Sequence, residues 1–175
     1  GITSPASLID LSVSKWDKLL NVNTRATLLL AQAAYPALKE SKGALVAVAS
    51  MSGMGAHPGM GAYSPSKAAL ISLCQVLAQE WACDGINVNT VSPGMIRTPL
   101  TQKVYENNQI AKERAALVPW GRVGNPEDIS NVISFLLSPE ANYITGQNIL
   151  VDGGFVDSLY RHIPGLPDSS EIEKT

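Results

Sequence analysis

Tyr63 and Lys67 stand four residues apart in the stretch SMSGMGAHPGMGAYSPSKAALISL, which runs from Ser50 to Leu73. Its first half carries four glycines, a proline and a histidine, and its second half has the composition of a helix. Side chains four apart on a helix are neighbours, with Cβ atoms about 5–6 Å from each other. A free phenol, with a pKa near about 10, is a sluggish acid or base at neutral pH. An ammonium group one turn along stabilises the phenolate, and the positive end of a helix acts in the same direction. The chemistry such a pair can do is proton transfer to or from an oxygen atom. An isolated Tyr–Lys pair at this spacing is more often an exposed helix face without a role, so its surroundings decide.

Ser50 lies thirteen residues before Tyr63, at the end of the apolar run GALVAVAS (Gly43 to Ser50). That run is too short for a helix and is bounded by glycine, so it reads as a strand buried on both faces. A second strand, INVNTVSPG (Ile86 to Gly94), stops at Pro93-Gly94. Ligands of open parallel sheets bind beyond the carboxyl ends of the strands. Ser50, the glycine-rich loop, the head of the Tyr63 helix and Pro93-Gly94 therefore converge on one rim.

The elements that must position these groups follow from periodicity. Gly1 to Leu11 reads as a loop, with Ser12 or Ser14 as a helix cap. A long helical pattern spans Lys15 to Lys42, and a second helix runs from about Ala62 to Ala82. Thr98 to Trp120 is irregular or weakly helical. NPEDISNVISFLLS carries an N-cap at Asn125, a proline at the first helical position and two acids in the first turn, and should be a helix ending near Leu137. QNILVDGG (Gln147 to Gly154) reads as the last strand, and residues 155–175 as a polar tail. Helices alternating with apolar strands define an α/β fold with a parallel sheet covered on both faces. Three strands are about half of a doubly wound fold.

The chain has 175 residues, 45% hydrophobic and only 16% charged, with a net charge of −2. The charge content falls below the roughly 25% usual for soluble proteins, which implies surface buried against a sister subunit or another part of the fold. The net charge gives no reason to expect nucleic acid or an anionic membrane as partner, and no apolar run is long enough for a membrane helix. Cys74 and Cys83, nine apart, match no metal or redox spacing. They read as reduced thiols, which with no signal peptide in view places the protein in the cytoplasm.

Ser50, Tyr63-Ser-Pro-Ser-Lys67, Pro93-Gly94 and NYITGQNILVDGG together resemble the short-chain dehydrogenase/reductase family. NVNTRATLLLAQAA resembles the helix that carries the family's catalytic asparagine, which falls on Asn23, and PWGRVGNPEDISNVISFLLS resembles the run before its last strand. The likeness covers residues 1–154. It implies an NAD(P)-dependent oxidoreductase that interconverts a secondary alcohol and a ketone by hydride transfer, with a Rossmann-like doubly wound sheet. On that footing Tyr63 is the general acid or base and also contacts the cofactor, and Lys67 assists it and binds the nicotinamide ribose. Ser50 binds the substrate oxygen, and Asn23 orders the helix and a water beside Lys67. Pro93, Gly94, Ile96 and Thr98 contact the cofactor, Ile96 through its backbone and Thr98 through side chain and backbone. The resemblance also implies a homodimer or homotetramer built on the 15–42 and 62–82 helices. Ser52, eleven residues before Tyr63, has the wrong spacing for the family serine. His57 reads as a pocket wall or an exposed residue, Arg122 as the partner of an acid or a helix end, and Trp120 with Thr98–Leu117 as a lid over substrate.

The family's Gly-x-x-x-Gly-x-Gly fingerprint is not in this sequence. The loop Gly53-Met-Gly55-Ala-His-Pro58 does not replace it, because proline stands where a glycine is needed and the loop follows the wrong strand. Gly1 fits the last glycine of the family's Asn-Asn-Ala-Gly segment, so the nucleotide-binding half is expected outside this chain, and with it the residue that chooses NAD or NADP. The strand GALVAVAS would then have a bare edge. An alternative reading follows: a truncated association module that keeps the oligomerisation helices and binds no cofactor. Ser64-x-x-Lys67 matches the nucleophile motif of penicillin-binding enzymes, but their Ser-Asp-Asn and Lys-Thr-Gly motifs do not occur. No Gly-x-Ser-x-Gly supports a serine hydrolase.

Overall fold

A computed structural model describes residues 1–165. Ser12 caps the first helix, α1 (Val13–Leu20), its hydroxyl accepting from the Lys15 N–H. The expected long helix is helical throughout but not uniform. A single π-helical turn, Asn21–Arg25, separates α1 from α2 (Ala26–Ser41), and it carries the buried Asn23. The strands are β1 (Ala44–Val48), β2 (Asn87–Pro93) and β3 (Asn148–Val151). They form one parallel sheet in the order β1-β2-β3. Between them run α3 (Tyr63–Trp81), α4 (Gln102–Tyr105), α5 (Asn108–Leu117) and α6 (Pro126–Leu136).

Alternation along the strands builds two cores. Ala47, Ala49 and Val88 face α2 and α3, where they pack with Ala31, Leu70, Cys74 and Leu77. Val46, Val91, Ile149 and Val151 face α6 and meet Ile129 and Leu136. β2, in the middle, is buried from Val88 to Ser92. β1 is less enclosed than its sequence suggests: Val48 is 46% exposed on the α6 face. The cause is position, because β1 pairs only with β2 among the described residues.

Three polar residues inside β2 have structural partners. Asn89, fully buried, donates to the Ile144 carbonyl at 2.7 Å and accepts from the Gln147 N–H at 3.0 Å, which docks the loop entering β3. Thr90 and Ser92 both donate to Oδ1 of Asn148 across the β2–β3 pair. The Thr98–Trp120 region holds more helix than its pattern suggests. Asn107 caps α5 by accepting from the Gln109 and Ile110 N–H groups. α6 begins as expected, with a capping box between Asn125 and Asp128. Arg122 pairs with Asp128 through two hydrogen bonds, at 2.7 and 2.8 Å, and the guanidinium holds that carboxyl well below the usual carboxylate range.

At the rim, Gly94 brings the ends of β2 and β3 together. Its N–H donates to the Val151 carbonyl, and a Cβ at this position would lie 2.5 Å from Cβ of Asp152. Gly94→Ala should therefore force the strand ends apart and destabilise the fold by about 1–3 kcal/mol, the usual cost of overpacking. Urea unfolding of the variant against the parent chain measures this.

Candidate active site

Each candidate catalytic side chain is placed by a different element. β1 ends at Val48, and Ser50 follows in extended conformation as the cap of a short 3₁₀ turn, Met51–Gly53. The Ser50 hydroxyl accepts from the Ser52 N–H at 3.1 Å. Its own hydrogen is uncommitted among the described residues and free to donate. The turn sits directly on α3: a Cβ at Gly53 would lie 2.9 Å from the Lys67 carbonyl carbon and 3.0 Å from the Ala68 nitrogen. Glycine at this point lets the segment after Ser50 press against the helix that carries Tyr63 and Lys67.

Lys67 is 6% exposed, and its ammonium donates to the Val48 carbonyl at 2.9 Å. The same ammonium lies 6.0 Å from the centroid of the Tyr63 ring. Burial lowers the Lys67 pKa from its ordinary value, because the charged form has lost water. Tyr63 is half-buried at the first position of α3, and its phenol oxygen makes no hydrogen bond among the described residues. That leaves it free to meet a ligand.

Asn23 ties the start of the chain to α3. Its amide donates to the Ile2 carbonyl at 2.9 Å and to Ser66 Oγ at 3.0 Å, and its oxygen accepts from the Ile2 N–H at 2.8 Å. The structure thus joins Asn23 to the residue before Lys67, not to Lys67 itself. Ser66, fully buried, passes the link on by donating to the Tyr63 carbonyl at 2.7 Å. Thr24 donates to the Ser66 carbonyl at 2.8 Å. Gly1 packs close enough that a Cβ there would be 2.9 Å from Oδ1 of Asn23 and 3.4 Å from Nζ of Lys67. Ser66 and the Val48 carbonyl are the site components that sequence reasoning missed. Only the serine within Tyr-Ser-Pro-Ser-Lys offered a signal.

Past Gly94, Ile96 bridges to Gly124, and its carbonyl accepts from the Thr101 hydroxyl at 2.8 Å. The Ile96 N–H has no partner among the described residues. Thr98 is held by Thr101, whose hydroxyl accepts from the Thr98 N–H at 2.9 Å. A cleft of about 620 Å³ opens beside Met51 and Ser52. Its wall includes His57, as expected, and Arg114 and Leu117 of α5. Phe155, Val156 and Leu159 also line it, so the segment just after β3 contributes to the wall; residues 166–175 of the expected tail lie outside the described residues. Ser50, Tyr63 and Lys67 are not among the lining residues. Trp120 is 74% exposed and borders a separate recess with Gly153. No group of three or more His, Cys, Asp or Glu side chains among the described residues could hold a metal ion, and no helix among them is long and apolar enough to cross a membrane.

Comparison with known proteins agrees with this architecture. The sequence profile of the family described as Enoyl-(Acyl carrier protein) reductase matches residues 1–156. The chain is 40% identical over 158 residues to a 3-oxoacyl-(acyl-carrier-protein) reductase of Thermotoga maritima, covering 89% of this chain and 63% of that protein. It is 39% identical over 156 residues to the (3R)-3-hydroxyacyl-CoA dehydrogenase of Mus musculus, covering 88% and 60%. Among solved structures, a 4-hydroxyisoleucine dehydrogenase complexed with NADH superposes with a TM-score of 0.83 at 36% identity, covering 89% of this chain and 65% of that one. A putative 2-deoxy-d-gluconate 3-dehydrogenase from Agrobacterium tumefaciens, with bound NADP, gives 0.84 at 33% identity, covering 90% and 65%. The chain belongs to the short-chain dehydrogenase/reductase family. It spans about three-fifths of the length of these two curated relatives.

The buried ammonium has a measurable consequence. Below the lowered folded-state pKa, Lys67 is charged in both folded and unfolded chains, and its desolvation opposes folding in full. Between that value and the unfolded one, near about 10.4, the unfolded chain binds more protons, so stability rises with pH. The unfolding free energy of the parent minus that of Lys67→Met should therefore grow more positive as pH rises from neutrality toward 10. Urea titrations of both proteins across that range check the sign.

Proposed function

We propose that this chain supplies the proton-transfer part of an NAD(P)-dependent oxidoreductase that interconverts a secondary alcohol and a ketone. The observation that carries the reading is the buried Lys67 ammonium, anchored on the Val48 carbonyl one helical turn from Tyr63, at the carboxyl rim of a parallel sheet.

In the reductive direction the Tyr63 phenol gives its proton to the substrate carbonyl oxygen, and in the oxidative direction it takes the proton back. The Ser50 hydroxyl donates a hydrogen bond to the same oxygen as charge develops there. Lys67 holds positive charge beside the phenol throughout. Asn23 acts through Ser66 and the head of α3, fixing where Tyr63 and Lys67 stand.

The residues present fit a nicotinamide cofactor. Lys67 makes one hydrogen bond among the described residues and has three donors, which leaves two for ribose hydroxyls. The unpartnered Ile96 N–H suits the carboxamide, with Pro93, Gly94 and Thr98 lining the same segment. When bound, the nicotinamide would supply or accept the hydride. Neighbouring structures with NADH and with NADP support either form.

The exposed Leu29 and Leu30 of α2 and Val76 of α3 support a homodimer or homotetramer built on these helices. Cys74 is buried and Cys83 is exposed, both unpaired, and burial pushes the Cys74 thiol up to about 11. Free thiols of this kind agree with a cytoplasmic setting. The same exposed helix faces favour the second reading, an association module without turnover. Titrating NADH fluorescence against this chain separates the two, since the module reading requires no saturable signal.

Tyr63→Phe in the complete protein should lower turnover by about 10²–10⁴-fold, the usual contribution of a positioned acid or base, with NADH affinity within a few-fold of the parent. Steady-state rates and fluorescence titration measure the two quantities; turnover retained in the variant would remove Tyr63 from the role assigned.

A further inference from the structure

The cleft beside the Met51–Gly53 turn has an uneven lining. Met51, Met95, Leu117 and Phe155 give it an apolar body. Its charged and titratable lining consists of Arg114 with the imidazoles of His57 and His162, and among the described residues no carboxylate reaches it. Its volume of about 620 Å³ lies within the range of pockets for small organic ligands.

Arg114 is held in place and left unneutralised. Its guanidinium lies 5.6 Å from the centroid of the Tyr105 ring, whose other close cation is Arg97 at 5.2 Å. Nη1 of Arg114 also donates to the Tyr105 hydroxyl at 3.5 Å. Tyr105 is only 5% exposed, so this stack rests on a fixed ring. The described ion pairs are Lys39–Asp84 and Arg122–Asp128, and neither involves Arg114. A half-buried guanidinium on a fixed ring, with no acid beside it, is a preorganised fork for an oxyanion. The lining is polar elsewhere too: the hydroxyl of Ser52, itself buried, lies 3.3 Å from Nδ1 of His57.

We propose that the substrate is an oxo acid or hydroxy acid with a free carboxylate, its carboxylate held by Arg114, its carbon chain lying on the methionines, Leu117 and Phe155, and its oxo or hydroxyl end reaching out of the cleft past Met51 toward Ser50, the residue before it in the chain, and Tyr63. This rests on the oxidoreductase reading and adds the substrate class to it. A carboxylate is favoured over a phosphate-bearing thioester because Arg114 is the one permanent cation on the wall among the described residues. A phosphate carrier would ordinarily gather several.

The test uses the complete protein and two measurements. Reduction rates are taken for acetoacetate, its methyl ester and its coenzyme A thioester, in the parent and in Arg114→Met. The ratio of kcat/KM for acid over ester should favour the acid in the parent and fall at least tenfold in Arg114→Met. Independently of turnover, calorimetric titration should show butanoate binding more tightly than methyl butanoate, with that preference lost in Arg114→Met. Equal handling of acid and ester by the parent overturns the assignment, as does a thioester preferred over the free acid or an acid preference that survives in Arg114→Met. If none of these carbonyl compounds is reduced with either cofactor while butanoate is still selected, the carboxylate site stands and the oxidoreductase reading falls.

Discussion

One hydrogen bond organises this site: the ammonium of Lys67 to the carbonyl of Val48. A lysine that is 6% exposed has lost most of its water, and the cost is repaid only in part by a single neutral acceptor. A chain selected for stability alone would have placed a Met or Leu there. What the arrangement provides is a cation fixed beside the Tyr63 ring, in surroundings of low dielectric where its field is weakly screened. The acceptor is the last residue of β1 and the donor belongs to the first turns of α3, so the bond also locks strand to helix across the crossover.

The rest of the site is built by close approach. Gly53 lets the turn after Ser50 press on the backbone of α3, and Gly94 lets the ends of β2 and β3 touch. Asn23, in its π-turn, clamps the Ile2 backbone on one side and Ser66 on the other. π-turns recur at functional positions because the wider ring frees a residue from the regular ladder. Here the side chain that benefits is the one that fixes the base of α3. Electrostatics and packing therefore act on the same few residues. The glycines set the distances, and the asparagine and serine set the direction in which Tyr63 and Lys67 leave the helix.

The sequence showed most clearly what is local. Tyr63 and Lys67 are one turn apart by helix geometry alone, Asn125-Pro126 announces α6, and the run Ile86 to Gly94 reads as a strand, which the structure forms over Asn87–Pro93. The clamp made by Asn23 was illegible because it joins residues 21 and 43 positions apart. The anchor of Lys67 was illegible for a different reason: it is a backbone carbonyl, and any residue at position 48 would provide one. α5 was under-read because its apolar stripe is thin, and its cap, Asn107, emerges only in the structure. Arg114 gave no signal at all, since what distinguishes it is the buried ring beneath it and the lack of a nearby acid, both products of tertiary structure.

A fixed ammonium beside a phenol that is otherwise uncommitted is the centre of this account, and single-turnover hydride transfer reads it most directly. The rate is followed at saturating cofactor and substrate in the complete protein, in the parent and in Lys67→Met. Removing the charge while keeping a side chain of similar length should slow the transfer at least a hundredfold once both ligands are bound. Equal rates in the two proteins would mean that Lys67 serves the fold and not the chemistry.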